Sequence, residues 1–313
     1  MKASLMDAST MKTGKPMLLF ALLMLLPPVH ADAQQRLRER MQQMREASRQ
    51  ERPVAVPAGG KAISNVAYGD DPAQRFDVYL PARADRVPVV FYVHGGGWAN
   101  GDKTNPGIEN KLLGWLPEGY AVISANYRML PAARPLDQAK DVARALAAAQ
   151  RHAGEWGIDA SRFVLMGHSA GAHLVALLGA KPSLLVEAGA QRPRGVVSLD
   201  SGALDVAALM SQRRVPRLYQ DAFGSDPAYW AATSPLAQLG RDALPMQLVC
   251  SSTRNVPTSP CDEARAFAQK ASTLGVPMQV LPQALNHGQI NHDLGAPSAY
   301  TDAVATYIDA LVR

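Results

Sequence analysis

Past residue 75, apolar positions gather in short runs separated by amphipathic stretches. Phe76–Leu80 (FDVYL) is closed by Pro81. Val87–Val93 (VPVVFYV) and Tyr120–Ala125 (YAVISA) are almost wholly apolar. Arg162–Met166 (RFVLM), Val196–Leu199, Pro245–Cys250 and Pro277–Leu281 repeat the pattern. Runs of this length predict strands, several of them buried on both faces. Between them, Leu136–Gln150, Ala170–Ala180, Asp262–Leu274 and Tyr300–Val312 carry the composition of helices. Strands alternating with helices predict an α/β fold whose mostly parallel sheet is covered on both faces. Residues 203–240 lie between two such strands without a strong period. They are long for a plain connection and predict a small insertion. No repeat or low-complexity tract is present.

The N-terminal part follows different rules. Lys2, Lys12 and Lys15 precede the apolar run Met17–Leu26, which Pro27 and Pro28 end, with small residues at Val29 and Ala31. This three-part pattern predicts a signal peptide over 1–31, cut after Ala31 or Ala33, and hence export to the periplasm or medium. An uncleaved anchor is the alternative. No later stretch has the apolar length of a membrane span. Residues 32–60 read as a polar linker, rich in Arg at first and then punctuated by Pro57, Gly59 and Gly60, and 61–313 as the folded domain.

Composition narrows the classes further. With 47% hydrophobic and 19% charged residues in 313, the chain is neither collagen-like nor disordered. The formal charge of +5 comes from 32 Lys and Arg scattered among 27 Asp and Glu, so there is no basic stripe for a nucleic acid. No His, Cys or carboxylate spacing suits a metal, and no phosphate loop is present, so no cofactor is expected. The chain has two cysteines, Cys250 and Cys261. In an oxidising compartment a disulfide between them is expected over two buried thiols.

Two motifs carry chemistry. Gly167-His168-Ser169-Ala170-Gly171 fits G-x-S-x-G and stands between a predicted strand and a predicted helix. That setting makes Ser169 a candidate nucleophile on a sharp turn, with a helix N-terminus behind it to favour negative charge. His94-Gly95-Gly96-Gly97-Trp98 follows the strand VPVVFYV. Its glycines free backbone N–H groups to stabilise a forming oxyanion, with Gly96, Gly97 and Ala170 as the candidate donors. Both motifs fall at strand C-terminal ends, where ligands bind in open α/β sheets.

HGGGW and GHSAG, with Tyr127-Arg128 between them, resemble the esterase/lipase branch of the α/β-hydrolase superfamily over about residues 62–312. The groups most similar are bacterial carboxylesterases of the feruloyl and acetyl-xylan esterase type and the kynurenine formamidases. The resemblance implies a Ser-acid-His order in the chain, an acyl-enzyme and a small-molecule ester substrate. It puts the histidine after the last short strand, at His287, with His292 as the alternative. It puts the acid a few residues after PMQLVC, where this chain has only Ser251-Ser252-Thr253-Arg254-Asn255-Val256-Pro257-Thr258-Ser259-Pro260. Asp262 follows, and a Cys250–Cys261 bridge would hold it near the strand. Asp200, after strand GVVSL, is the alternative acid. His94, His168 and His173 read as supporting neighbours. Trp98 and Trp230 are the candidate substrate-pocket aromatics, and the 203–240 insertion is expected over the same edge. The resulting expectation is a serine esterase. An aryl formamidase with the same triad and a non-catalytic binding protein lacking its acid stand as alternatives.

Overall fold

A computed structural model describes residues 54–313, Val256 excepted. The targeting segment 1–31 and residues 32–53 of the linker lie outside the described residues. In chain order the strands are β1 (Lys61–Ala67), β2 (Arg75–Leu80), β3 (Val87–Val93), β4 (Ala121–Ala125), β5 (Ile158–His168), β6 (Gly195–Leu199), β7 (Met246–Ser251) and β8 (Met278–Gln283). The helices that bear on the site are α1 (Gly107–Trp115), α2 (Pro135–Arg151), α3 (Ala170–Ala180), α4 (Arg217–Phe223), α5 (Pro260–Thr273), α6 (His287–His292) and α7 (Ala299–Val312).

The strands form one sheet in the order β1-β2-β4-β3-β5-β6-β7-β8. β2 runs antiparallel to both β1 and β4, and every pairing from β4 through β3 to β8 is parallel. Consecutive side chains of a strand point to opposite faces. In β3, Val89, Phe91 and Val93 therefore join the core under α2 and α3, while Val90 and Tyr92 join the one under α1 and α7. A strand buried on both sides has no use for polar alternation, which is why VPVVFYV is legible in the sequence.

The sheet agrees with the predicted architecture, and the differences are physical. β1 is an edge strand whose residues are all exposed or half-buried, so it carries no apolar run to read. β5 begins earlier than RFVLM, at a buried Ile158, and the mostly polar residues that follow it before the apolar run stay partly exposed. α1 buries Ile108, Leu112 and Trp115 at helical spacing, with Lys111 buried among them. The stretch 203–240 is a set of short helices, at Val206–Met210, α4, Pro227–Thr233 and Pro235–Gln238. No helix among the described residues is long and apolar enough to cross a membrane.

Parallel strands deliver their following loops to one edge. Gly95–Trp98 follow β3, Ser169 follows β5, Asp200 follows β6, Arg254 follows β7 and His287 follows β8.

Candidate active site

Ser169 stands between the last residue of β5 and the first of α3, with φ 55° and ψ −116°. A non-glycine residue in that region is strained and persists only where its surroundings over-determine it. Here the Ser169 N–H donates to Leu199 O at 2.9 Å, which ties the turn to β6. The glycines of the motif answer to close approach. A Cβ on Gly171 would lie 2.2 Å from Val93 O, and one on Gly167 would lie 2.4 Å from Gly171 O. Asp200 and Trp98 also have positive φ, at 55° and 61°. Three of the five non-glycine residues of this kind among the described residues thus gather around one edge of the sheet.

Ser169, Ala170, Gly97, Trp98, Arg254 and His287 line a cavity of about 80 Å³. Among the described residues, the amides of Gly97 and Ala170 have no hydrogen-bond acceptor. The first belongs to a glycine turn. The second is one of the unsatisfied N–H groups at the start of a helix. Gly96, the third candidate donor, does not line the cavity. Its φ of 123° serves the turn, since a Cβ there would lie 1.9 Å from Asn100 O.

His287 Nδ1 is 2.6 Å from Asp200 Oδ2. An ionised carboxylate can only accept, so Nδ1 carries a proton, and in the neutral ring that leaves the lone pair on Nε2. Asp200 is fully buried and also accepts from the Ser251 N–H at 2.7 Å and from Arg254 Nη2 at 2.9 Å. Burial opposes its ionisation. The hydrogen bonds from His287 and Ser251 and the Arg254 charge outweigh burial and hold its carboxyl below the usual range. The Ser169 hydroxyl makes no hydrogen bond among the described residues, so the link from Ser169 to His287 is a shared cavity. Such contacts commonly tighten only once substrate is bound.

Several neighbouring groups fix the histidine. His168 Nε2–H donates to His287 O at 2.9 Å, and the two rings lie 4.5 Å apart. Burial, and then the neighbouring His287, push the His168 imidazole down to about 3, so it stays neutral. Asn286 and Gln289 form a reciprocal cap on α6, which places His287 in the first turn. At the other end of α6, Lys111 Nζ donates to Asn291 O at 2.8 Å and to Asn291 Oδ1 at 2.9 Å. Tyr92 donates to the same Oδ1 at 2.8 Å. His173 Nδ1 accepts from Trp98 Nε1 at 3.2 Å and its Nε2–H donates to Thr233 O at 2.8 Å, joining the glycine loop to the insertion.

The structure corrects two expectations. Asp262 does not meet His287. It is solvent-exposed at the start of α5, accepting from Ser259 Oγ at 2.6 Å and from Arg265 Nη1 at 2.8 Å. Cys250 and Cys261 are bridged, with Cα atoms 5.1 Å apart. Neighbouring residues on a helix point about 100° apart, so a Cys261 turned in toward β7 turns Asp262 out. Trp230 does not line the cavity either, because its Nε1–H donates to Gly224 O at 3.1 Å within the insertion. Leu218 and Tyr219 of α4 take that wall, so the insertion does cover this edge. His292 is exposed and bonded to Asp293, away from the cavity. Sequence reasoning missed Arg254, which occupies the loop where the resemblance puts the acid.

A larger cavity, about 460 Å³, lies behind residues 204–205 and contains neither Ser169 nor His287. Glu263 lines it and accepts from the Leu204 N–H at 3.0 Å. Burial raises the Glu263 carboxyl to about 7, against the lowering effect of the Leu204 and Asp205 amides and Arg254. The folded chain therefore binds more protons here than the unfolded chain between pH 4.5 and 7, and stability falls as pH rises through that window. Glu263→Gln keeps the acceptor and removes the titration. Denaturant melts should show the variant gaining about 1–3 kcal/mol over the parent at pH 8 and almost nothing at pH 4.5. An equal difference at both values would contradict the assignment.

Residues 76–191 match the BD-FAE family model, a span that contains both glycine motifs but neither Asp200 nor His287. The chain is 35% identical over 113 residues to a probable isoprenylcysteine alpha-carbonyl methylesterase, ICMEL1, of Arabidopsis thaliana, covering 36% of this chain and 23% of that protein. It is 36% identical over 118 residues to the esterase LipC of Mycobacterium tuberculosis, covering 36% and 28%. These matches span less than a third of either relative. Across 90% of this chain and 95% of the other, the fold is similar to esterase B of Lactobacillus rhamnosus, with TM-score 0.64 and 22% identity. The segment holding both motifs is thus similar to the BD-FAE family and to esterases, and the sheet topology with its elbow serine is the fold that solved esterases share.

Proposed function

We propose that the chain hydrolyses carboxylic esters through an acyl-enzyme on Ser169. The observation that carries this reading is the His287–Asp200 hydrogen bond beside a cavity that Ser169 and His287 share. His287 Nε2 removes the hydroxyl proton as Ser169 Oγ attacks the ester carbonyl, and Asp200 stabilises the imidazolium that forms. The N–H groups of Gly97 and Ala170 hold the oxyanion, with Gly96 shaping the loop. His287 then protonates the departing alcohol. Water attacks the acyl-serine by the reverse sequence, releasing a carboxylic acid and restoring Ser169. Asp200 supplies an acid, which weakens the non-catalytic alternative. Export belongs to the same proposal and is supported by the pattern of residues 1–31 and by the cysteine pair. The intact mass of the secreted protein tests it.

The cavity is closed on the Gly97 side by Leu218, whose Cδ1 would lie 2.4 Å from a Cβ on Gly97. A panel of neutral p-nitrophenyl esters should therefore show kcat/KM at least about tenfold higher for acetate than for octanoate. Leu218→Ala should narrow that ratio. A burst of p-nitrophenol equal to the enzyme concentration, followed by slower turnover, is the expected sign of the acyl-enzyme. Faster turnover of octanoate by the parent would contradict the pocket assignment.

A further inference from the structure

Hydrolysis as just described makes no use of Arg254, yet Arg254 lines the cavity with Ser169 and His287. A guanidinium has five N–H donors and no acceptor. Nη2 donates to Asp200 Oδ2 at 2.9 Å and to Asp200 O at 3.4 Å. Nε is buried without a partner. Among the described residues nothing accepts from Nη1. Nη1 faces Gly202, another residue of the cavity wall, whose lack of a side chain lets its neighbours approach closely. A Cβ at Gly202 would lie 2.6 Å from Thr258 Oγ1, 3.2 Å from Tyr219 Oη and 3.5 Å from Arg254 Nη1. The Arg254 guanidinium and the Tyr219 hydroxyl thus face one corner of the cavity, while Thr258 lines the larger cavity instead. Asp200 supplies the countercharge but engages only Nη2, which leaves Nη1 without an acceptor. Unmatched donors on a half-desolvated cation are costly, and an anion that matches them is bound correspondingly well.

We propose that this corner receives a carboxylate carried by the substrate, so that the preferred esters are anionic. The inference rests on the ester-hydrolase reading and adds the substrate class. The carboxylate can belong to the acyl or to the alcohol part, and two matched pairs separate these. The acyl pair is p-nitrophenyl hemisuccinate against p-nitrophenyl butyrate. The alcohol pair is 4-acetoxybenzoate against phenyl acetate.

The quantity to read is the kcat/KM ratio of anionic to neutral ester, because Arg254 also touches Asp200 and its loss lowers turnover of every ester. In one pair the parent should favour the anion by roughly tenfold or more, mostly through KM. Arg254→Met should bring that ratio to about one, and Arg254→Lys should restore part of it. Tyr219→Phe, which removes only a hydroxyl, should lower it severalfold. If the parent favours the neutral ester in both pairs, or if Arg254→Met leaves both ratios unchanged, the inference is overturned while the ester-hydrolase reading stands. If none of the four esters turns over in a Ser169-dependent way, that reading fails and this one with it.

Discussion

Ser169→Ala should lower kcat on short esters by about 10⁵-fold or more, with KM little changed. A nucleophile, its base and its acid act as a unit, so removing the attacking atom costs nearly as much as removing all three. The expected remainder is slow hydrolysis above the uncatalysed rate, supplied by the oxyanion donors and by binding. Folding is not at issue, because the Ser169 hydroxyl makes no hydrogen bond among the described residues. The strained φ of 55° suits Ala no worse than Ser. Thermal melts of the two proteins should coincide within a few degrees. Turnover by the variant within tenfold of the parent would remove Ser169 from the chemistry.

Asp200→Asn should cost about 10⁴-fold in kcat, whereas Asp262→Asn should leave kcat within about twofold. The amide at 200 can present N–H to Nδ1. That stabilises the tautomer with its proton on Nε2, which cannot accept from Ser169. The change also leaves Arg254 without its countercharge in a buried setting, so a lower melting temperature is expected, and activity must be read on protein shown to be folded. Since the Asp200 carboxyl titrates below its ordinary range, its contribution to stability is complete at neutral pH and is lost only as pH falls through that depressed value. At 262 the carboxylate lies in the exposed first turn of α5 and accepts only from the side chains of Ser259 and Arg265, so losing it costs about 1 kcal/mol or less. Equal losses at the two positions would undo the assignment of the acid.

Much of the architecture was legible because burial writes itself into sequence. VPVVFYV and AHLVALLGA are apolar along their length since the sheet and its helices cover them on both sides. β1 left no such trace, because an edge strand in contact with solvent need not be apolar. Ser169 and the glycine loop were legible for a different reason. Their chemistry demands residues, glycine and a strained serine, that few other settings demand so close together. The acid was not legible, because a carboxylate carries no local mark of its partner. Asp200 and Asp262 both follow strands, and only the path of the chain after β8 decides which of them His287 reaches. The short helix α6 did leave a sign, in the spacing of Asn286 and Gln289 that caps its start. Arg254 went unread because an arginine among polar loop residues looks like any solvated one.

The claim on which everything else depends is that Ser169 is activated by His287 and Asp200. Peptide mapping by mass spectrometry after treatment with a fluorophosphonate tests it directly. The account predicts a single adduct on Ser169, formed rapidly in the parent and in Asp262→Asn and far more slowly in Asp200→Asn. An adduct on another residue, or equal labelling rates in all three proteins, would contradict it.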